Sequence, residues 1–187
     1  MSDSAWTDTT PHPWRRYLAR TFDMATGGVG LLVAAVFGLA RYAPETWLAI
    51  GPFIDNGIST AILVPLATIP ESAVLVGLTG GTPGKWLFGV RVLGADGRPV
   101  GLAVAIRREL LVWYRGLGLG LPVVSIVTAL KAKGTLEETG RTSWDRTLAL
   151  AVCQRPDGPR QVASFALGTA LLAALVWFLG ATGPLDS

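Results

Sequence analysis

Two carboxylates lie within otherwise apolar stretches of the sequence, and both are candidates for holding a proton or a small cation. Asp23 follows Arg16 by seven residues and Arg20 by three, so a helix would place all three on one face. An ionised aspartate in a bilayer is costly, and intramembrane ionisable groups commonly mark ion or proton sites. Two interpretations stay open. Asp23 is an ion or proton site tuned by Arg16 or Arg20, or it belongs to a buried ion pair or helix cap, whose partner would be Lys85, Arg91 or Arg146.

Glu71 is the one charged residue in a second apolar run and directly follows Pro70. Proline lacks a backbone N–H, so it leaves the carbonyl near Leu66 without its helical donor. A carboxylate beside a free carbonyl is a plausible site for a cation or a transferred proton. The alternative is a protonated glutamate that is hydrogen-bonded to a neighbouring helix.

The stretch GGTPGKWLFGVRV combines glycines with a lysine, as phosphate-binding loops do, but it does not fit that motif. The motif requires G-x-x-x-x-G-K followed by Ser or Thr, whereas Thr79 occupies the first glycine position and Trp86 follows Lys85. The stretch is better explained as a helix exit, in which Gly80 and Gly81 end the helix before Pro83. Lys85 would then reach phosphate head groups or the last carbonyls of that helix.

The remaining composition gives little support for an enzyme. The chain has one His, at position 12, and one Cys, Cys153, so no Ser-His-Asp, zinc or disulfide arrangement is available. We expect no catalytic residues, no metal site and no cofactor. A net charge of +3 is too small to indicate nucleic acid as a partner.

Half of the 187 residues are hydrophobic and 16% are charged, which predicts a helical membrane protein. Three apolar runs approach the ~20 residues that a spanning helix needs, at roughly 16–42, 57–78 and 162–185. The second should be kinked at Pro70. We predict a flexible tail at 1–13, and a short loop around residues 44–55, where Pro44 and Gly51-Pro52 break the chain.

Between the second and third spans, the pattern predicts a small β-element. LFGVRVLGADGRPVG alternates around an Ala-Asp-Gly-Arg turn, as a β-hairpin does, and residues 148–154 are the best candidate for a third strand. Residues 102–130 allow two interpretations, a single tilted span or a helical hairpin that enters and leaves on the same side. Five Lys and Arg residues in 79–108 and six in 131–161 favour the hairpin, because basic segments stay cytoplasmic. The N-terminus is then cytoplasmic as well.

Several of these residues fall into motifs similar to those of the RDD family of membrane proteins, which is named for one arginine and two aspartates. GGTPGKWLFGVRV resembles the family pattern G-x-T-x-G-K-x-L-x-G-x-R-V. Arg16, Ala19 and Asp23 match R-x-x-A-x-x-x-D, and Asp145-Arg146 matches a motif like H-D-x-x-A-G-T-x-V. In the last motif Trp144 replaces the usual polar residue and Ala149-Leu150 replace Gly-Thr. The signature residues on this alignment are Gly81, Thr82, Gly84, Lys85, Gly89, Arg91, Asp145 and Arg146.

The resemblance covers about residues 14–153, and Glu71 looks like a glutamate present in some members. It implies a domain at 14–154, a linker and additional helix at 155–187, and a multi-pass protein of the bacterial inner membrane. For Asp145 and Arg146, a salt bridge that pins the strand at 148–154 is favoured over a site role.

The resemblance assigns no general activity, although it implies transport of a cation, proton or small solute. Such a transporter would use Asp23 and Glu71, with Arg16 or Arg20, as its ion or proton site. A small bundle would then need an oligomer, for which Gly30, Ala34 and Gly38 offer a small-residue stripe. The alternative is a non-transporting scaffold that binds anionic lipid or a partner membrane protein.

Overall fold

The computed structural model describes residues 6, 8–54 and 56–181 and is mainly helical, at 76% helix. In chain order the helices and strands are α1 (Pro13–Asp23), α2 (Val29–Tyr42), α3 (Pro44–Ile54), α4 (Gly57–Thr79), α5 (Pro83–Leu87), β1 (Val90–Leu93), α6 (Leu102–Leu111), α7 (Pro122–Thr139), α8 (Ser143–Thr147), β2 (Ala151–Gln154) and α9 (Pro159–Ala181). Three membrane-spanning helices, a pair of shorter helices and a small sheet confirm the predicted fold class.

The three predicted spans are present among the described residues as helices that are long and apolar enough to cross a bilayer. They run over Pro13–Tyr42, Gly57–Thr79 and Pro159–Phe178. In the first span, α1 continues into α2 through a π-helical turn at Met24–Gly28. This turn packs against α4 so closely that a Cβ on Gly28 would lie 2.7 Å from the Val64 carbonyl oxygen.

The residues between the first two spans form a helix rather than the predicted loop. Pro44 stands at the start of α3, where a missing N–H costs nothing because no intrahelical acceptor is available. Pro52 falls in the last turn of α3, so only the end of the helix is affected. Proline and glycine therefore set the ends of this segment without preventing the helix.

The β-element is a pair of strands, not a hairpin. β1 and β2 pair antiparallel, with Val90 opposite Gln154 and Leu93 opposite Ala151. This pairing confirms the prediction that a strand within residues 148–154 joins the strand that follows α5. The turn after β1 does form, with Gly94 N–H donating to the Arg98 carbonyl at 2.8 Å. The predicted second hairpin strand does not follow it, because Pro99 lacks a donor and the chain enters α6 instead.

The ambiguous segment 102–130 contains two helices. α6 continues through a π-helical turn at Val112–Gly116, and a short 3-10 turn at Gly118–Gly120 leads into α7. Among the described residues neither helix is counted with the three long apolar spans. The helix–turn–helix arrangement was therefore the better of the two predictions.

Part of the predicted loose tail lies against the sheet. The backbones of Asp8 and Gln154 form an isolated antiparallel bridge, and the Gln154 side-chain amide donates to the Thr10 carbonyl at 2.8 Å. The His12 ring lies 3.1 Å from a carboxylate oxygen of Asp8. Residues 1–5 and 7 of the predicted tail, and 182–187 at the other end, lie outside the described residues.

The core consists of two small apolar clusters. One joins α4, β1 and α6, with Ala73, Val76, Val92, Ala105 and Leu150 buried. The other joins α1, α9 and the turn after α5, with Ala19, Phe22, Phe88 and Leu172 buried. Elsewhere the spans expose their apolar side chains, as helices that face lipid do.

The stripe of small residues in α2 contacts no other part of the described chain closely. A Cβ built on Gly30 or on Gly38 would have no heavy atom within 4 Å, and Ala34 is exposed. Within one chain, therefore, this stripe makes no helix–helix contact. Its use between copies stays a prediction.

Candidate functional site

Asp23 lies at the end of α1, where three groups from the α4–α5 connection surround its carboxylate. Thr82 donates its hydroxyl to Oδ2 at 2.5 Å, the Gly84 N–H donates to Oδ1 at 2.8 Å, and the Lys85 ammonium lies 3.6 Å from Oδ2. The arrangement follows from the local sequence. Thr82 caps α5 by accepting from the Lys85 N–H, and Pro83 begins the helix, so the first free N–H, that of Gly84, donates to the carboxylate.

Lys85 is buried in the protein instead of reaching lipid head groups or helix carbonyls as predicted. Its side chain is 9% exposed and its Nζ atom lies 3.3 Å from the Thr82 hydroxyl. Burial lowers the pKa of Lys85, and the opposite charges of Glu109 and Asp23 act against that shift. Among the partners proposed for Asp23, the structure therefore selects Lys85 over Arg91 and Arg146.

Glu109 is the most deeply buried carboxylate of the site, and two arginines hold it. Arg20 donates to Oε2 at 2.6 Å and Arg108 donates to Oε1 at 2.9 Å. Burial alone would raise the pKa of Glu109, but Arg20, Lys85 and Arg108 outweigh that effect and lower it to about 2. The direct pair of Arg20 with Asp23 that the sequence suggested is not formed, because Arg20 points to α6.

Asp145 lies in the first turn of the short helix α8 and joins it to α1 and α6. It accepts hydrogen bonds from Arg108 Nε at 2.9 Å, from the Thr142 hydroxyl at 2.7 Å and from Arg16 Nη1 at 3.3 Å. Arg146 is exposed. The salt bridge that was predicted to pin the strand is therefore present at Asp145, with Arg16 and Arg108 as its partners, and Arg146 does not take part in it.

These contacts form one connected series, from Arg16 through Asp145, Arg108 and Glu109 to Arg20. It begins and ends on α1, so a single helical face is fixed to both α6 and α8. The buried charges are each paired and hydrogen-bonded, which is the condition under which such groups are tolerated in a protein interior. We call the series together with Asp23 and Lys85 the charge cluster.

Glu71 differs from the other three carboxylates because its Oε2 atom is buried and has no hydrogen-bond partner among the described residues. Its carboxylate packs directly against Gly27 in the π-helical turn, where a Cβ would overlap it. The charges of Asp23 and Lys85 are close enough to act on it. Single-turn π-helices occur frequently at functional sites, and this one separates Asp23 from the apolar remainder of the span.

The other signature residues position the backbone. Gly89 has a left-handed φ of 70°, and its carbonyl accepts from the Arg155 N–H at 3.0 Å. A Cβ on Gly81 would overlap the Trp86 indole. The Arg91 guanidinium lies over the Trp6 ring, 5.9 Å from its centroid.

Arg108 and Glu109 were not selected from the sequence, although a signal for them exists. The buried positions in and just after α6 are Ala105, Arg108, Glu109 and Val112. They follow the i, i+3, i+4, i+7 spacing of one helix face. Two charged residues on a face otherwise made of Ala and Val indicate a buried ion pair.

Among the described residues, no group of three or more His, Cys, Asp or Glu could hold a metal ion.

The fold and the site define a membrane protein whose first span is fixed, by a buried charge cluster, to a short helix pair and a two-stranded sheet. The model of the RDD family matches residues 10–182, and the chain belongs to that family. The match extends beyond residue 153, where we placed the end of the resemblance, and includes α9. No curated protein and no solved structure matches the chain.

Proposed function

We propose that the protein is a transporter in which Glu71 carries a proton or a small cation through the membrane. The observation that supports this most directly is the contrast between the buried Oε2 atom of Glu71, a half-buried residue, and the oxygens of the three buried carboxylates. Asp23, Glu109 and Asp145 have a donor or cation at both oxygens, whereas Oε2 of Glu71 has none among the described residues. A buried oxygen without a donor is energetically unfavourable by about 1–3 kcal/mol, and a bound proton or cation would remove that cost.

The surroundings of Glu71 support the same proposal. It lies within a membrane-spanning helix, one residue after a proline that cannot donate to the preceding turn. Intramembrane ionisable residues usually face a functional pathway.

The test is ion flux in proteoliposomes that contain a pH-reporting dye, with Na⁺, K⁺ or Li⁺ added outside. We expect the added cation to change the internal pH in the wild type, and Glu71→Gln to slow that change by at least about tenfold. The matched control is Glu138→Gln, which removes the same charge from an exposed position on α7 and should behave as wild type. Wild-type liposomes that respond as protein-free liposomes do, for all three cations, would overturn the proposal.

A second candidate function is a non-transporting scaffold, and the exposed spans favour it. In the most hydrophobic part of each span, 17%, 39% and 17% of the residues are buried within the chain. The remaining apolar faces are available to lipid or to a partner membrane protein. A scaffold needs only the shape of the Glu71 side chain. In that case neither the wild type nor Glu71→Gln should show ion flux, and both should recruit the partner equally well.

A further inference from the structure

A cavity of about 440 Å³ lies beneath α7, between that helix and the charge cluster. Its volume falls within the roughly 300–1,000 Å³ that small-molecule sites occupy. One side is charged and the opposite side is apolar. The charged side is formed by Arg16, Arg20, Lys85, Arg108 and Glu109, with Lys133 at the rim.

The charged side favours an anion. Glu109 is the one carboxylate among the described residues that line the cavity, and it is already paired with Arg20 and Arg108. The charge cluster contains four cations and three carboxylates, so it has one positive charge in excess before Glu71 is counted. The cations are Arg16, Arg20, Lys85 and Arg108, and the carboxylates are Asp23, Glu109 and Asp145.

Two arginines that line the cavity also have N–H groups without an acceptor. Nε and Nη2 of Arg20 and Nε of Arg16 are buried and have no hydrogen-bond partner among the described residues. Buried N–H groups in native proteins nearly always have an acceptor. A guanidinium presents its donors in a planar fork that fits carboxylate and phosphate oxygens. The acceptor that these groups fit is therefore an oxyanion.

The opposite side of the cavity is apolar and continues to the surface of the protein. Ile126 and Leu130 of α7 line the cavity and yet are 63% and 64% exposed, so the cavity opens along an apolar helix face. Trp14 and Trp144 complete the lining near the arginines. A free inorganic anion would leave this apolar side unused.

We propose that the cavity binds an anionic amphiphile, whose carboxylate or phosphate is held by Arg16 and Arg20 and whose apolar chain lies along α7. The same chemistry could come from an anionic membrane lipid or from a free long-chain acid. The site does not rest on transport through Glu71, because none of its contacts involves that residue.

Binding is measured by quenching of tryptophan fluorescence in neutral detergent, since Trp14 and Trp144 line the cavity. The probe is bromoundecanoate, a long-chain carboxylate whose bromine quenches tryptophan, and a bromine-tipped alkyl trimethylammonium is the cationic counterpart. We expect saturable quenching by the carboxylate only. Equal quenching by the cationic probe would overturn the proposal, because simple partitioning into the detergent would explain it.

Two variants localise the site without removing a charge. Ala129→Phe fills the cavity from α7, and Arg20→Lys keeps the charge near Glu109 while it removes the unpartnered guanidinium donors. Each is expected to weaken binding by at least about tenfold. Val127→Phe adds the same side chain to α7 at a residue that does not line the cavity, and it should bind as wild type does. If Ala129→Phe and Val127→Phe bind equally well, the cavity is not the site.

Competition identifies the kind of ligand. Dodecyl phosphate should displace the probe, whereas inorganic phosphate at the same concentration should not. Equal displacement by inorganic phosphate would overturn the proposal of an amphiphile, because a free anion would then be sufficient to fill the site. Displacement by phosphatidylglycerol but not by phosphatidylcholine would identify membrane lipid as the source, and displacement by dodecyl phosphate alone would identify a free long-chain acid.

Discussion

Arg16 and Asp145 are 129 positions apart in the sequence and form an ion pair, with 3.3 Å between Nη1 and Oδ2. They belong to two separate motifs, one at the beginning of the first span and one directly before β2. Asp145 is almost completely buried and also binds Arg108 and Thr142. The pair therefore joins the first helix to α8, the short helix directly before β2.

Replacing either member of this pair should destabilise the protein, and replacing Asp145 should cost more than replacing Arg16. We expect Arg16→Gln to lower the free energy of unfolding by about 1–3 kcal/mol, because Asp145 keeps its other donors. Asp145→Asn should cost about 3–5 kcal/mol, since it leaves buried Arg108 with one fewer carboxylate. Thermal melting in detergent measures both, and the double variant should lose less than the sum of the two. Arg146→Gln, at an exposed position, is the control, and a similar loss there would contradict this assignment.

Gly84 should tolerate no side chain, because α5 and α1 touch at that residue. A Cβ there would lie 2.7 Å from Oδ1 of Asp23 and would overlap the Ala19 carbonyl. Gly84→Ala is therefore expected to destabilise the protein by about 1–3 kcal/mol. Gly134→Ala, in the open interior of α7, should instead stabilise it by about 0.5–1 kcal/mol. Melting temperatures that move in the same direction would show that the contact at Gly84 is not tight.

Acid should destabilise the protein partly through Glu109. Its pKa is lowered from 4.5 to about 2 in the folded protein, so its ion pairs contribute stability above the unfolded value and lose it as the pH falls from about 4.5 towards 2. A difference of this size corresponds to on the order of 3 kcal/mol. Melting temperature plotted against pH should fall less steeply for Glu109→Gln than for wild type in that range. Glu138→Gln should keep the wild-type slope, and parallel curves for all three proteins would refute the assignment.

The basic segments around the sheet should face the cytoplasm, with the connection between the first two spans on the other side. In a Cys153→Ser background, single cysteines at Arg41 and at Arg146 report on the two sides, because both positions are exposed. In intact cells, we expect a membrane-impermeant maleimide to label Arg41→Cys. Arg146→Cys should be labelled only after the cells are opened. The reverse pattern would place the N-terminus outside.

The parts of the fold that the sequence predicts well are those set by local composition. The spans follow from uninterrupted apolar length, and the end of α4 follows from Gly80, which has the left-handed φ of 78° that favours glycine. For α3 the sequence predicts a loop, because proline breaks the interior of a helix, whereas Pro44 and Pro52 lie at the two ends of α3, where a helix accommodates them. The prediction of a second hairpin strand is wrong, because the residues of a turn favour the turn itself but do not determine which strand β1 pairs with.

The site was predictable in its members but not in its pairing. Asp23 and Lys85 were selected from the sequence as possible partners, and their contact is present. Helical spacing predicts a pair of Arg20 with Asp23, but Arg20 instead binds Glu109, whose carboxylate is completely buried. Such pairings depend on how α6 packs against α1, which no periodicity within either helix encodes.

The contacts of Asp23 also have a consequence for how the chain is made. Its hydroxyl donor, Thr82, is 59 residues further along, and Gly84 and Lys85 come later still. At synthesis rates of about 5–20 residues per second, the first helix meets the insertion machinery several seconds before any of these groups exist. During that interval Arg20, one turn away, is the nearest cation in sequence, and its own mature partner Glu109 is synthesised 89 residues after it. The order of translation therefore determines when each mature ion pair can form.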